Sequence, residues 1–224
     1  MRDQPLRDAR AARPGPRAVD GAEASRGIGF PRLYDLLLRM LTRGREPVYR
    51  EDLLDLSGIA PGMHVLDIGC GTGTQAIASW RRSQPAGAVA GVDISRAMLA
   101  VARRKSRRAG LDIPFHQADA AELPFEDERF DIVTLTTVLH MIPPSEHRRC
   151  LREASRVLRR RGRLLLIDYA GDPGRRGHWM ARHGRHRRFD LHSLREPLSE
   201  EGFEEIKAGP LAWLSLHYLR GTKR

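Results

Sequence analysis

Three carboxylates, a run of glycines and one histidine are the residues of this sequence best spaced to do chemistry. The acids are Asp67, Asp93 and Asp119, and each closes a short apolar stretch. The glycines follow the first acid in Val65-Leu66-Asp67-Ile68-Gly69-Cys70-Gly71-Thr72-Gly73. Glycine lets the backbone turn sharply between a strand and a helix, and lets a ligand approach bare N–H groups at a positive helix end. Asp93 lies 20 residues beyond Gly73, where a carboxylate can accept hydrogen bonds from both hydroxyls of a ribose. A lone Gly-x-Gly says little. Here it follows a predicted strand, opens a predicted helix and has an acid downstream, which is the context the motif requires. Asp67 could also cap the loop and Asp119 start a turn, because aspartate bonds readily to its own backbone. Three acids at successive strand ends point instead to one crevice, since open parallel sheets bind ligands at their carboxyl ends.

The elements needed to position these residues are legible as an alternation of strand and helix. His64–Ile68, Ala88–Ile94, Ile113–Ala118, Asp131–Thr137 and Arg163–Tyr169 read as five strands. Between them Thr74–Arg82 reads as a helix. A second helix is capped by Ser95 and closed by Gly110. A third is capped by Ser145, carries Leu151, Ala154 and Leu158 on one face, and ends at Gly162. Repeated strand–helix–strand units imply a parallel sheet with right-handed crossovers. Ahead of the core, Leu33, Leu36, Leu37, Met40 and Leu41 share one helical face, and a short helix after Pro47 carries Tyr49, Leu53 and Leu54. At the other end, Leu191–Gly202 reads as a helix, and Glu205–Ala208 with Leu214–Leu219 as an antiparallel hairpin. The expected fold is therefore α/β, Rossmann-like and doubly wound, with a seven-stranded, mostly parallel sheet. Residues 1–27 are expected to be a disordered basic arm, 28–60 a helical cap, 61–169 the core, 170–190 an irregular cap and 191–224 the last helix and hairpin.

The 224 residues suffice for one such domain, and two cysteines, Cys70 and Cys150, argue against a disulfide framework and for a reducing, cytoplasmic setting. Neither cysteine has neighbours at metal-ligand spacing, so no metal site is expected. No apolar run reaches the roughly 18 residues of a membrane span, and the first residues lack the apolar stretch of a secretory signal. The net charge of +11 can attract nucleic acid, anionic membranes or acidic substrates, but the arginines behind it are scattered along the whole chain.

The segment VLDIGCGTG resembles motif I of the class I S-adenosylmethionine-dependent methyltransferases. GVDIS, QADAAELPFEDERFDIV and REASRVLRRRGRLLLIDY then resemble the following segments of that family in order, over about residues 30–170. The most similar members are small-molecule enzymes of the quinone, sterol and phospholipid group. The resemblance implies an S-adenosyl-L-methionine cofactor and methyl transfer by in-line displacement onto a small-molecule or lipid-like acceptor. It implies that Asp67 lies near the methionine ammonium. Gly69, Cys70, Gly71, Thr72 and Gly73 would lie beneath the methionine and ribose, and Asp93 would hold the ribose. Ile94 and Met98 would pad the adenine, with Asp119 and the Ala120 N–H at its edge, and Thr136 would face the methionine part. Tyr34, on the first amphipathic helix, either closes over the cofactor or merely packs.

His140 follows the fourth strand, where an acceptor should sit. It is a candidate general base with a suitably neutral ring, or else a structural histidine of the pocket wall. His178, Trp179, His183 and His186 lie among six arginines between Arg175 and Arg188, a segment suited to an anionic acceptor or membrane surface if it binds anything. Two other functions compete. A nucleic-acid methyltransferase fits the charge, but Thr136-Thr137-Val138-Leu139 stands where amino-group methylases commonly carry Asn or Asp, two prolines and an aromatic. A cofactor-binding but non-catalytic regulator would keep the same binding positions. The sequence leaves the acceptor atom and the oligomeric state open.

Overall fold

Strands β1 (His64–Ile68), β2 (Ala88–Asp93) and β4 (Phe130–Thr136) are buried along nearly their whole length, the pattern of a parallel sheet covered by helices on both faces. The computed structural model describes residues 35, 38–170, 189–213 and 215–224. With β3 (Phe115–Gln117), β5 (Leu158–Tyr169), β6 (Phe203–Pro210) and β7 (Leu216–Lys223) they form one seven-stranded sheet of order β3-β2-β1-β4-β5-β7-β6. The β1–β2, β1–β4, β2–β3 and β4–β5 pairs are parallel. Strand β7 enters antiparallel between β5 and β6. The strand order reverses at β1, so the ends of β1, β2 and β4 open onto the switch-point crevice where such sheets bind ligands.

Helices α1 (Glu46–Ser57), α2 (Thr74–Ser83), α3 (Arg96–Arg108), α4 (Pro144–Val157) and α5 (Arg195–Glu200) flank the sheet. Their ends follow local chemistry. The Ser95 hydroxyl accepts from the Met98 N–H at 3.3 Å and starts α3. Gly58 takes the left-handed conformation and closes α1 by donating to the Leu54 and Asp55 carbonyls. One core of Leu66, Ile68, Val92, Phe130, Leu135, Leu151 and Leu166 fills one face of the sheet; Val65, Ile77, Val89, Leu99, Phe115 and Ile132 fill the other. Tyr49 and Leu53 of α1 pack with Leu165, Ile167 and Leu216, which pins the helix over the antiparallel half.

Several boundaries differ from the sequence reading. Ser145 does not cap α4: the helix starts at Pro144, whose missing N–H is harmless in a first turn, and no side chain caps it. Gly162 does not end that helix. The chain passes from Val157 straight into β5, and Gly162 lies in the strand at an irregularity where pairing with β4 shifts between Phe130 and Ile132. The third strand shrinks to Phe115–Gln117. The stretch 191–202 divides into a 3-10 turn, Leu191–Leu194, and the short α5. The hairpin strands run longer than expected, to Pro210 and Lys223. Residues 38–41 are helical, but Met40 is 66% exposed rather than on the packed face. Tyr34 and the segment 171–188, with its histidines and arginines, lie outside the described residues.

Candidate active site

The glycine turn is shaped by three left-handed residues. Gly69, Gly71 and Gly73 have φ of 69°, 52° and 77°. At Gly69 the conformation is combined with a close approach, since a Cβ there would overlap the methyl groups of Val138. At Gly73 a Cβ would press on Ala102 of α3. No side chain caps the start of α2, so its first N–H groups remain directed along the loop. Cys70 contributes backbone only. Its N–H donates to the Val92 carbonyl at 2.9 Å and its thiol is buried in the core, where burial raises its pKa well above the ordinary thiol value. Thr72 turns its hydroxyl the other way, donating to Asp35 Oδ1 at 2.6 Å, with Lys105 bridging both at 3.0 and 2.6 Å.

The acids at the strand ends do different work. Asp93 braces the turn: its Oδ2 accepts from the Gly71 N–H and its Oδ1 from the Ser95 N–H, both at 2.8 Å. Each oxygen keeps a further lone pair for a ligand hydroxyl. Burial pushes its pKa up, and the two backbone N–H groups oppose the rise. Asp119 holds its own turn, Oδ1 accepting from the Ala121 N–H at 2.8 Å, with Ala120 buried beside it. Asp67 is 2% exposed, and its Oδ1 accepts from the Thr134 hydroxyl at 2.9 Å. Its Oδ2 is buried without a hydrogen-bond partner in the structure. Burial raises the Asp67 pKa to about 6, opposed by the Thr134 hydroxyl and the Arg50 charge. Leaving one oxygen of a buried carboxylate unmatched is costly, and a cationic or N–H-bearing ligand there would relieve that cost. Arg50 stands nearby on α1, holding Glu46 at 3.0 Å and Gln75 of α2 at 3.3 Å. Ile94 and Met98 flank Asp93 at the mouth of α3, Met98 buried and Ile94 half-buried.

Thr136 ends β4, and its carbonyl accepts from the Thr137 hydroxyl at 2.7 Å. Three residues on, the 3-10 turn Leu139–Met141 carries His140. Its Nδ1 lies 2.7 Å from Oδ1 of Asp168, and its backbone N–H donates to Oδ2 at 3.2 Å. Asp168 is fully buried at the end of β5 and also accepts from the Tyr169 N–H at 2.9 Å. The sequence reading singled out His140 but not Asp168, Arg50, Thr134, Val138 or Lys105. Asp168 closes the run Leu164-Leu165-Leu166-Ile167 just as Asp67 closes Val65-Leu66, so the same acid-at-strand-end signal was present. Among the described residues no group of three or more His, Cys, Asp or Glu is placed to hold a metal, and no helix is long and apolar enough to cross a membrane.

Residues 65–162, which carry the glycine turn and the acid-lined edge, match the methyltransferase domain family model. Among curated relatives the chain is similar to the ubiquinone/menaquinone biosynthesis C-methyltransferase of Idiomarina loihiensis, 36% identical over 139 residues, 61% of this chain and 55% of that protein. It is likewise 36% identical over 140 residues to the demethylmenaquinone methyltransferase of Thermus thermophilus, 62% of each chain. The match thus spans less than two thirds of either relative. The fold is shared with a SAM-dependent methyltransferase from Aquifex aeolicus, at a TM-score of 0.66 and 19% identity over 78% of this chain and 89% of that one.

Proposed function

We propose that the chain binds S-adenosyl-L-methionine at the edge formed by β1, β2 and β3 and transfers its methyl group to a small, reduced quinone-like acceptor. The observation that carries the reading is the buried, unpartnered Oδ2 of Asp67 beside the glycine turn. The residues present fit the cofactor. Asp67 takes the ammonium of the methionine part, the N–H groups of the glycine turn lie beneath it, and Thr136 faces the same part. The free lone pairs of Asp93 take the ribose hydroxyls; Ile94 and Met98 pad the adenine, and Asp119 with the Ala120 N–H reads its edge. When bound, the cofactor supplies a methyl carbon activated by positive sulfur, so the protein's task is alignment and exclusion of water.

The relatives' names give the acceptor class, and chemistry narrows it: a hydroquinone is electron-rich at carbon, whereas a quinone is not a nucleophile. Residues 61–169 are the cofactor-binding core in this reading, with 28–60 as a helical cap and 170–190 as the acceptor-side segment, where the arginines suit an anionic acceptor or a membrane surface. The two buried free thiols fit the reducing cytoplasm. The test is methyl transfer from radiolabelled cofactor to 1,4-naphthohydroquinone under reducing, anaerobic conditions. Label in the organic phase is expected. A protein that binds the cofactor yet labels no acceptor of a phenol and hydroquinone panel is instead a regulator, and salt-resistant retention on tRNA would redirect the reading to nucleic acid.

A further inference from the structure

We propose that Asp168 is a positioning residue that fixes His140 as the base for a hydroxyl-bearing acceptor; this rests on the methyl-transfer reading above. The geometry comes from both sides of the β4–β5 edge. Both oxygens of the Asp168 carboxylate face donors: Oδ1 the Tyr169 N–H and His140 Nδ1, Oδ2 the His140 N–H. A carboxylate that only accepts requires the proton on Nδ1, so the neutral ring carries its lone pair on Nε2. Contact through both backbone and ring sets the imidazole's direction as well as its tautomer. The turn itself is clamped from behind. His147, buried on α4, donates from Nε2 to the Leu139 and Ile142 carbonyls at 2.9 and 3.0 Å. Val138, two residues before His140, lies over Gly69, so the turn adjoins the cofactor loop. Among the described residues, the titratable groups beside the pair include Tyr169, whose ring meets His140 edge-on at 5.1 Å, and His217, the cross-strand partner of Asp168, itself 2.9 Å from His192.

An oriented Nε2 lone pair suits an acceptor that must lose a proton to become nucleophilic, the class of phenols and hydroquinones. The acceptor O–H bond breaks, its proton passes to Nε2 and its electron pair stays on oxygen. The ring carbon beside that oxygen takes the methyl, while the pair of the broken carbon–sulfur bond stays on sulfur. The hydrogen left on that carbon departs as a proton to solvent, and the oxygen recovers its own from the imidazolium.

Nitrogen-15 NMR of the histidine rings in the full chain without ligand reads the tautomer directly: His140 is expected to be protonated on Nδ1, and Asp168→Asn to lose that preference. With 1,4-naphthohydroquinone as acceptor, Asp168→Asn and His140→Gln are each expected to lower kcat about a hundredfold or more while cofactor affinity stays within about twofold. The wild-type rate should rise with pH on its acid side, and His140→Gln should lack that limb. Wild-type His140 protonated on Nε2, or Asp168→Asn turning over at the wild-type rate, overturns the proposal. Should Asp168→Asn not fold, the wild-type tautomer and the His140→Gln pH profile decide alone. Failure of wild type to bind cofactor would instead sink the methyl-transfer reading itself.

Discussion

Two buried aspartates end strands of the same sheet and are wired in opposite ways. Asp67, near the end of β1, has one oxygen on Thr134 and the other without a partner. Asp168, near the end of β5, accepts three hydrogen bonds over its two oxygens. The first carboxylate has one oxygen left open, and the second has donors on both. An unfilled acceptor in a dry site is destabilising until something fills it, so it belongs where a ligand binds. A filled acceptor stabilises its donors, so it belongs where a side chain must be held still. In the proposed reading, one half of the edge receives the cofactor and the other orients a reacting group.

Substitutions can break this contrast. The largest effect is expected at Gly69→Ala, which combines a left-handed φ of 69° with overlap of Val138, the residue joining the two halves. The sum of backbone strain and overpacking is about 2–4 kcal/mol, or roughly 5–15 °C in a thermal melt, and cofactor binding should be lost. Next is Asp67→Asn. The folded chain without ligand holds the Asp67 proton to about pH 6, against 3.8 for the ordinary carboxyl. Its stability is therefore full below the lower value and declines as pH rises to the upper one, by on the order of 3 kcal/mol. In Asp67→Asn that decline should vanish, so urea melts at neutral pH should show the variant more stable than wild type. The same variant should bind cofactor roughly tenfold or more weakly, because a charge-assisted bond is gone. A variant both more stable and equally tight would mean that Asp67 Oδ2 meets no ligand. The smallest effect belongs to Lys105→Met. It cuts the link from α3 to Asp35 and Thr72, a partly exposed cluster, and should cost at most about 1 kcal/mol in the same urea melts.

What could be read from sequence was what is encoded locally. The turn Asp67–Gly73 is a strand end, a run of left-handed residues and a helix start within a few positions, and each leaves its mark on residue type. Ser95 as the cap of α3 is equally local. Gly162 misled because a glycine after a helix looks like a terminator, whereas here pairing with Phe130 of β4, 28 residues upstream, pulls Leu158 directly into the sheet. Asp93 was legible as an acid at the right place but not as a brace for Gly71 and Ser95, which depends on loop geometry. Asp168 was invisible as His140's partner because the pair is separated by 28 residues, and only the adjacency of β4 and β5 brings them together.

Binding of S-adenosyl-L-methionine at the acid-lined edge of β1 and β2 underlies every step proposed above, and calorimetry on wild type and Asp93→Ala measures it. Wild type should bind one equivalent. Removing a carboxylate that braces the glycine turn and, in the proposed reading, takes the ribose hydroxyls should weaken binding by about 1.5–3 kcal/mol, roughly ten- to a hundredfold. Equal affinity in the two proteins, or no heat with wild type, would mean that this edge is not the cofactor site.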